Sequence, residues 1–294
     1  MVIREKHHPQ ARIVDRQKMR GSEMTVRISV ILIAALLTQP VPPPEQVVPL
    51  PNAHAHNDYR HNPPLLKALA HGFTSVEADV FLVGENLCVA HGAHEIRPDR
   101  TLRSLYLDPL RARAKKHKGR IYPGNRRFVL LIDFKSAAEP TYKKLHEILA
   151  EYSDLVTTFG PQGRQDKAVL VVVSGNRPLE LMRSQKRRYA GYDGRLSDLN
   201  TTVPAHLIPM ISDHWGRNFT WQGEGPMPQD QREKLKHIVK TAHDKGRLVR
   251  LWATPDQRSP ARDALWHELL AAGVDLINTD DLEGLQTFLL EHGR

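Results

Sequence analysis

From about residue 51 to its end, this chain alternates short β-branched or apolar runs with longer segments of helical character. Strand-like runs fall at 52–56, 75–83, 128–134, 169–174, 189–192, 207–212, 248–253 and 276–278. Helical segments lie between them at 64–71, 141–152, 178–186, 230–245 and 261–272, and one at 282–292 closes the chain. Pro64 suits a first helical turn, and Gly246 and Gly273 stop two of the helices. A further short run at 87–90 reads as an excursion after the second strand. Strands and helices in strict alternation, over roughly 240 residues, predict a single-domain α/β (β/α)8 barrel of the TIM type. An open doubly wound sheet fits less well, because no G-x-G-x-x-G follows the first strand.

The first 50 residues read differently. Arg27 precedes an apolar stretch at 28–37 (ISVILIAALL), and Thr38, Gln39 and Pro40 follow it. That order describes an export signal better than a spanning helix, for which the stretch is too short. No A-x-A cleavage site is visible, so an uncleaved anchor stays open, and Met24 is an alternative start. A Pro-rich linker at 39–52 leads into the barrel. Residues 1–50 are therefore expected to be a targeting segment and linker, and 51–294 the barrel domain of an exported monomer, periplasmic or extracellular.

A formal charge of +9 favours anionic partners such as phosphate esters or acidic membrane surfaces. The basic residues are scattered and form no nucleic-acid motif, so no nucleic acid partner is expected. Cys88, the single cysteine, excludes an intrachain disulfide and a cysteine-rich zinc site.

Polar residues in a parallel barrel act at the C-terminal ends of strands. Here those ends hold His54 and His56, Glu77 and Asp79, His91, Asp133 and Lys135, Asp213 and His214, Trp252, and Asp280. Glu77 and Asp79 stand two apart, so they share one face of their strand. Two carboxylates in an apolar strand are costly unless paired or bound to a cation. With Asp133 they make an all-oxygen set suited to Mg2+ or Ca2+. His56 and His91 are candidates for an acid/base pair, since imidazole titrates near neutral pH. Lys135 stands on the same face as Asp133, to hold an anionic phosphate or to balance the acids. Trp252 offers an apolar wall or plain packing.

At these residues the sequence resembles the phospholipase C-like phosphodiesterase superfamily, which includes glycerophosphodiester phosphodiesterases, phosphatidylinositol-specific phospholipases C and sphingomyelinase D-like enzymes. Residues 72–80 (GFTSVEADV) resemble its second strand, 89–92 (VAHG) the histidine turn after it, and 128–135 (FVLLIDFK) its third strand. Residues 248–254 (LVRLWAT) and 273–280 (GVDLINTD) resemble its last two strands. The opening HAHNDY at 54–59 is most similar to the subgroup called altered inheritance of mitochondria protein 6. The resemblance implies Glu77, Asp79 and Asp133 as ligands of one divalent ion and His56 and His91 as the acid/base pair. It places Lys135 and Trp252 near the substrate, and His54 stays an alternative to His56. The chain departs from the glycerophosphodiester enzymes in lacking their H-R-G start and P-E-N-T segment. It departs from the sphingomyelinase D toxins in lacking their cysteine-bridged loop.

The expected activity is cleavage of a phospholipid headgroup or glycerophosphodiester, by water or by a neighbouring hydroxyl that gives a cyclic product. Two rivals stay open on the residues alone. One is an amidohydrolase-type metal barrel, because His54 and His56 mimic an H-x-H metal pair and Asp280 its last aspartate. The other is a non-catalytic barrel that binds a phosphorylated ligand.

Overall fold

The computed structural model describes residues 47–124 and 127–293. The targeting stretch expected within 1–46 lies outside them. No helix of the described residues is long and apolar enough to cross a membrane.

Eight parallel strands close into a barrel. In order around it they are β1 (Leu50–Ala55), β2 (Phe73–Val83), β4 (Phe128–Phe134), β7 (Val169–Gly175), β8 (Gly191–Gly194), β9 (Met210–His214), β10 (Leu248–Trp252) and β11 (Leu276–Thr279). Pairing of β11 with β1 and of β1 with β2 completes the ring. The excursion expected after the second strand is β3 (Asn86–Val89), antiparallel to the upper half of β2. A separate hairpin, β5 (Thr158–Gly160) with β6 (Gly163–Gln165), precedes β7.

Helices α1 (Leu66–Ala70), α2 (Asp108–Lys116), α3 (Ala138–Ala150), α4 (Leu179–Ser184), α5 (Trp215–Asn218), α6 (Gln229–Asp244), α7 (Pro260–Ala272) and α8 (Leu282–His292) follow the strands. Their apolar stripes explain their placement. Along α6, Leu235, Ile238, Val239 and Ala242 recur at helical spacing and are buried. Ser259 caps α7 by accepting from the Arg262 amide, and Gly273 ends it in the left-handed region.

Both faces of the strands are covered, so β4 and β7 read as nearly continuous apolar runs. Val76, Ala78, Leu130, Ile132, Val171 and Val173 belong to the large core. The alternate residues Val129, Leu131, Leu170, Val172, Met210 and Leu276 form a second, smaller core inside the barrel.

The expected β4 boundaries are those found, whereas two other strands begin later than expected. Strand β8 begins at Gly191 and β9 at Met210. Tyr189, Ala190, Leu207 and Ile208 are apolar because they pack ahead of the ladder, not within it. Leu50, expected in the linker, is already buried in β1. Helix α2 escaped the sequence reading because only Leu110 and Ala114 of its DPLRARAKK face the core.

Candidate active site

The mouth of the barrel lies at the C-terminal ends of the strands, where the inward-facing positions turn from apolar to ionisable. In the register, Asp79 of β2 stands directly opposite Asp133 of β4, with Glu77 two residues below Asp79. Like charges placed across a ladder repel and need a cation between them. One carboxylate oxygen from each of Glu77, Asp79 and Asp133 lies within 4.8 Å of the others. Gly175 at the end of β7 makes room for this cluster, because a Cβ there would run into Asp133 Oδ1.

Each acid is held differently. Burial would raise the pKa of Glu77, but the Arg250 guanidinium and the His54 hydrogen bond keep it well below the usual carboxylate range. Arg250 Nη2 donates to Glu77 Oε2 at 2.5 Å and anchors on Asn278 Oδ1. Burial pushes Asp133 up to about 6, with Glu77 and Asp79 adding to the shift and Lys135 opposing it. Asp79 is fully buried. Its Oδ2 atom is crowded by the Tyr59 hydroxyl at 2.8 Å, His91 Nδ1 at 2.9 Å and Lys135 Nζ at 3.1 Å. Its Oδ1 atom is buried with no hydrogen-bond partner. A buried carboxylate oxygen left unpaired is costly, and a cation beside it removes the cost. The three oxygens therefore fit a hard divalent ion, with Asp79 Oδ1 as the open ligand.

The histidines divide into one buried and two available. His54 is 0% exposed, so it sits beneath the site and not against a substrate as expected. Its Nδ1 is 2.7 Å from Ser75 Oγ and its Nε2 is 3.4 Å from Glu77 Oε2. Burial, with the Arg250 charge, pushes its pKa down to about 4, which keeps the ring neutral. Its nitrogens face Ser75 and Glu77 while His56 faces Asp280, and among the described residues the ligand set that comes together is Glu77, Asp79 and Asp133, so the geometry does not favour the amidohydrolase reading.

His56, just past the end of β1, is partly exposed, with Nδ1 2.9 Å from Asp280 Oδ1. Burial opposes its protonation, yet the Asp280 hydrogen bond and the Glu77 charge outweigh it and raise the pKa above the ordinary imidazole value. His91, in the turn after β3, is half-exposed and sets Nδ1 against Asp79. In both rings a carboxylate engages Nδ1, and His56 Nε2 has Asn57 Nδ2 at 3.2 Å. Asn57 and Tyr59 connect the two. The Tyr59 hydroxyl is 2.6 Å from Asn57 Oδ1 and 3.1 Å from His91 Nδ1, and Asn57 Nδ2 is 3.0 Å from His56 Nδ1.

Lys135 pairs with Asp133 Oδ1 at 3.0 Å as well as with Asp79. Burial opposes its charge, but the two carboxylates raise its pKa above the ordinary lysine value. Trp252 lies on the inward face of β10 two residues past Arg250 and packs edge-on against His214, with ring centroids 4.6 Å apart. Across the mouth, Asp193 Oδ2 accepts from Ser174 and Ser212 hydroxyls and from Arg195.

Arg250, Tyr59 and Asp193 were missed by sequence reasoning. Arg250 did carry a signal: an arginine in the apolar run LVRLW costs as much as a glutamate in β2.

Comparison with known proteins agrees with this architecture. Residues 44–193 match the model described as the AIM6-like phosphodiesterase domain, and residues 249–283 match the glycerophosphoryl diester phosphodiesterase family. The chain is 30% identical over 270 residues to altered inheritance of mitochondria protein 6 of Eremothecium gossypii, covering 81% of this chain and 69% of that one. A homolog of that protein in Arthroderma benhamiae is 30% identical over 267 residues, covering 82% and 84%. Among solved structures, the chain is similar to a calcium-dependent phosphoinositol-specific phospholipase C from a Pseudomonas species. That match has a TM-score of 0.52 at 14% identity, over 80% of this chain and 91% of that one. A glycerophosphoryl diester phosphodiesterase from Parabacteroides distasonis also gives a TM-score of 0.52, at 12% identity, over 83% and 87%. At such identities the structural likeness bears on the fold alone.

Proposed function

Starting from the fact that this chain belongs to the AIM6-like phosphodiesterase family, we propose that it is a metal-dependent phosphoric diester hydrolase or lyase. Its substrate class is a phospholipid headgroup or glycerophosphodiester. The observation that carries this reading is the carboxylate triad, with Asp79 Oδ1 unpartnered, beside two imidazoles each engaged at Nδ1 by a carboxylate.

Glu77, Asp79 and Asp133 would hold one Mg2+ or Ca2+, which supplies positive charge to the phosphoryl oxygens. The solved neighbour described as calcium-dependent keeps Ca2+ in the comparison. Lys135 adds a second positive charge on the same side of the site. Arg250 fixes Glu77 in its ionised form from below. One of His56 and His91 removes a proton from the nucleophile at Nε2, and the other delivers one to the leaving oxygen. The nucleophile is water, or a neighbouring substrate hydroxyl that closes a cyclic phosphate. The Tyr59 phenol stays protonated, since burial and the Asp79 charge raise its pKa, and it links the two rings. The reading includes an exported monomer that meets its substrate in solution or at a membrane surface.

The test is product analysis on glycerophosphodiester, lysophospholipid and phosphatidylinositol substrates with Mg2+ and with Ca2+. Turnover of at least one is expected, and His91→Ala should lower kcat by about 10²–10⁴-fold, the usual share of a proton-transfer group. Binding of these substrates without turnover, at every metal condition, would instead make the protein a non-catalytic phospho-ligand barrel.

A further inference from the structure

The opposite end of the barrel carries an ionic feature that the mouth does not explain. Three connections leading into β7, β8 and β9 meet there: the β5–β6 hairpin, residues 183–190 and residues 203–207. They wall a cavity of about 260 Å3 lined by Phe159, Arg183, Lys186, Arg188, Pro204 and His206, among others. All these segments precede their strands, so the cavity lies at the N-terminal end of the barrel, away from Glu77, Asp79 and Asp133.

Arg188 is only 4% exposed. Among the described residues no carboxylate lies within ion-pair distance of it. Its contacts are His206 Nδ1 at 2.8 Å, the His206 carbonyl at 3.2 Å and the Ala190 carbonyl at 3.4 Å. Burial pushes its pKa down. The other deeply buried arginines are held by carboxylates or by a larger set of carbonyls. Arg250 has Glu77, Arg262 has Asp281, and Arg247 donates to the carbonyls of Asp198, Leu199, Thr201 and Val203. A buried cation without a counter-charge is expensive, and an anion beside it offsets that cost.

The Arg188 guanidinium lies 5.2 Å from the centre of the Phe159 ring, which lines the same cavity. Of the cations at the cavity, Arg183 is engaged by Glu180, whereas Lys186 has no carboxylate within 4.0 Å among the described residues. A neighbouring cavity of about 390 Å3, sharing Phe159, Gly160 and Gly163, adds Lys167 and Arg187.

We propose that this cavity is a second anion site, remote from the catalytic mouth, which takes a soluble phosphate-class oxyanion with Arg188 as its buried anchor and Lys186 at its rim. The oxyanion is free phosphate or the phosphate group of a small monoester, and the two are distinguished by separate titrations.

The full chain is titrated calorimetrically with inorganic phosphate and, separately, with glycerol 3-phosphate, each without added divalent metal. Saturable binding is expected in at least one titration, and the tighter of the two identifies the source. Arg188→Met should weaken it at least ~10-fold, the loss of a charge-assisted contact. Lys186→Ala, a surface change that leaves the fold intact, should weaken it by a smaller factor of ~3. Lys135→Met, at the mouth, should leave it unchanged. The proposal is overturned if neither anion binds at millimolar concentration. It is overturned equally if Lys135→Met abolishes binding while Arg188→Met and Lys186→Ala do not, since the anion then sits at the mouth. None of these readouts depends on turnover, so the phosphodiesterase reading and the anion site stand or fall separately.

Discussion

The inside of this barrel holds two layers made from the same strands with opposite chemistry. Toward the N-terminal ends, Val129 and Leu131 of β4, Leu170 and Val172 of β7, Met210 of β9 and Leu276 of β11 form an apolar plug. Two residues further along, on the same face, stand Asp133, Ser174, Ser212 and Asn278, joined by Glu77, Asp79 and Arg250. Side-chain parity decides which residues enter the barrel, whereas position along the strand decides whether they meet hydrocarbon or charge. The lower layer contributes apolar burial. The upper layer concentrates like charges and an unpartnered carboxylate oxygen, an arrangement that costs stability unless a bound cation offsets it.

That contrast can be broken by substitution. Leu131→Ala, in the floor, should destabilise the fold by about 2–5 kcal/mol through lost burial and a cavity. Denaturant unfolding reads the loss, and kcat per folded molecule at low temperature should hardly change. An equal fall in kcat would mean that the floor and the mouth are one coupled unit. A smaller effect should come from Asp280→Asn. Removing that carboxylate lowers the His56 pKa toward the ordinary imidazole value or below, because only the Asp280 and Glu77 interactions hold it up against burial. The limb of the pH–kcat/KM profile that follows His56 should then move to lower pH, whether His56 acts as base or acid. A limb that stays in place would remove His56 from the proton transfers.

The layered interior was legible in part. In FVLLIDFK the change from apolar to acidic falls within one strand, so its parity and the mouth end could both be read directly. The pairing of Asp79 with Asp133 followed from the same alternation. The depth of His54 did not, because β1 ends at Ala55 and only the packing of β2 and β10 around the first strand end separates a buried ring from an available one. Tyr59 was out of reach for another reason. Its phenol meets Asp79 and His91 because the chain turns at Asn57, with φ of 46°, and no periodicity announces that turn. The basic cavity around Arg188 depends on three loops far apart in sequence, so its cations read only as scattered surface charge.

The central claim is that three carboxylates from β2 and β4 grip one hard cation. Calorimetric titration of Mg2+ and Ca2+ at pH 8, where Asp133 is ionised, tests it most directly. One ion per chain is expected for the wild type. Asp133→Asn should lose at least ~100-fold in affinity, since even partners behind the ligands contribute about 10–100-fold. No divalent binding by the wild type, or equal binding by Asp133→Asn, would contradict the account.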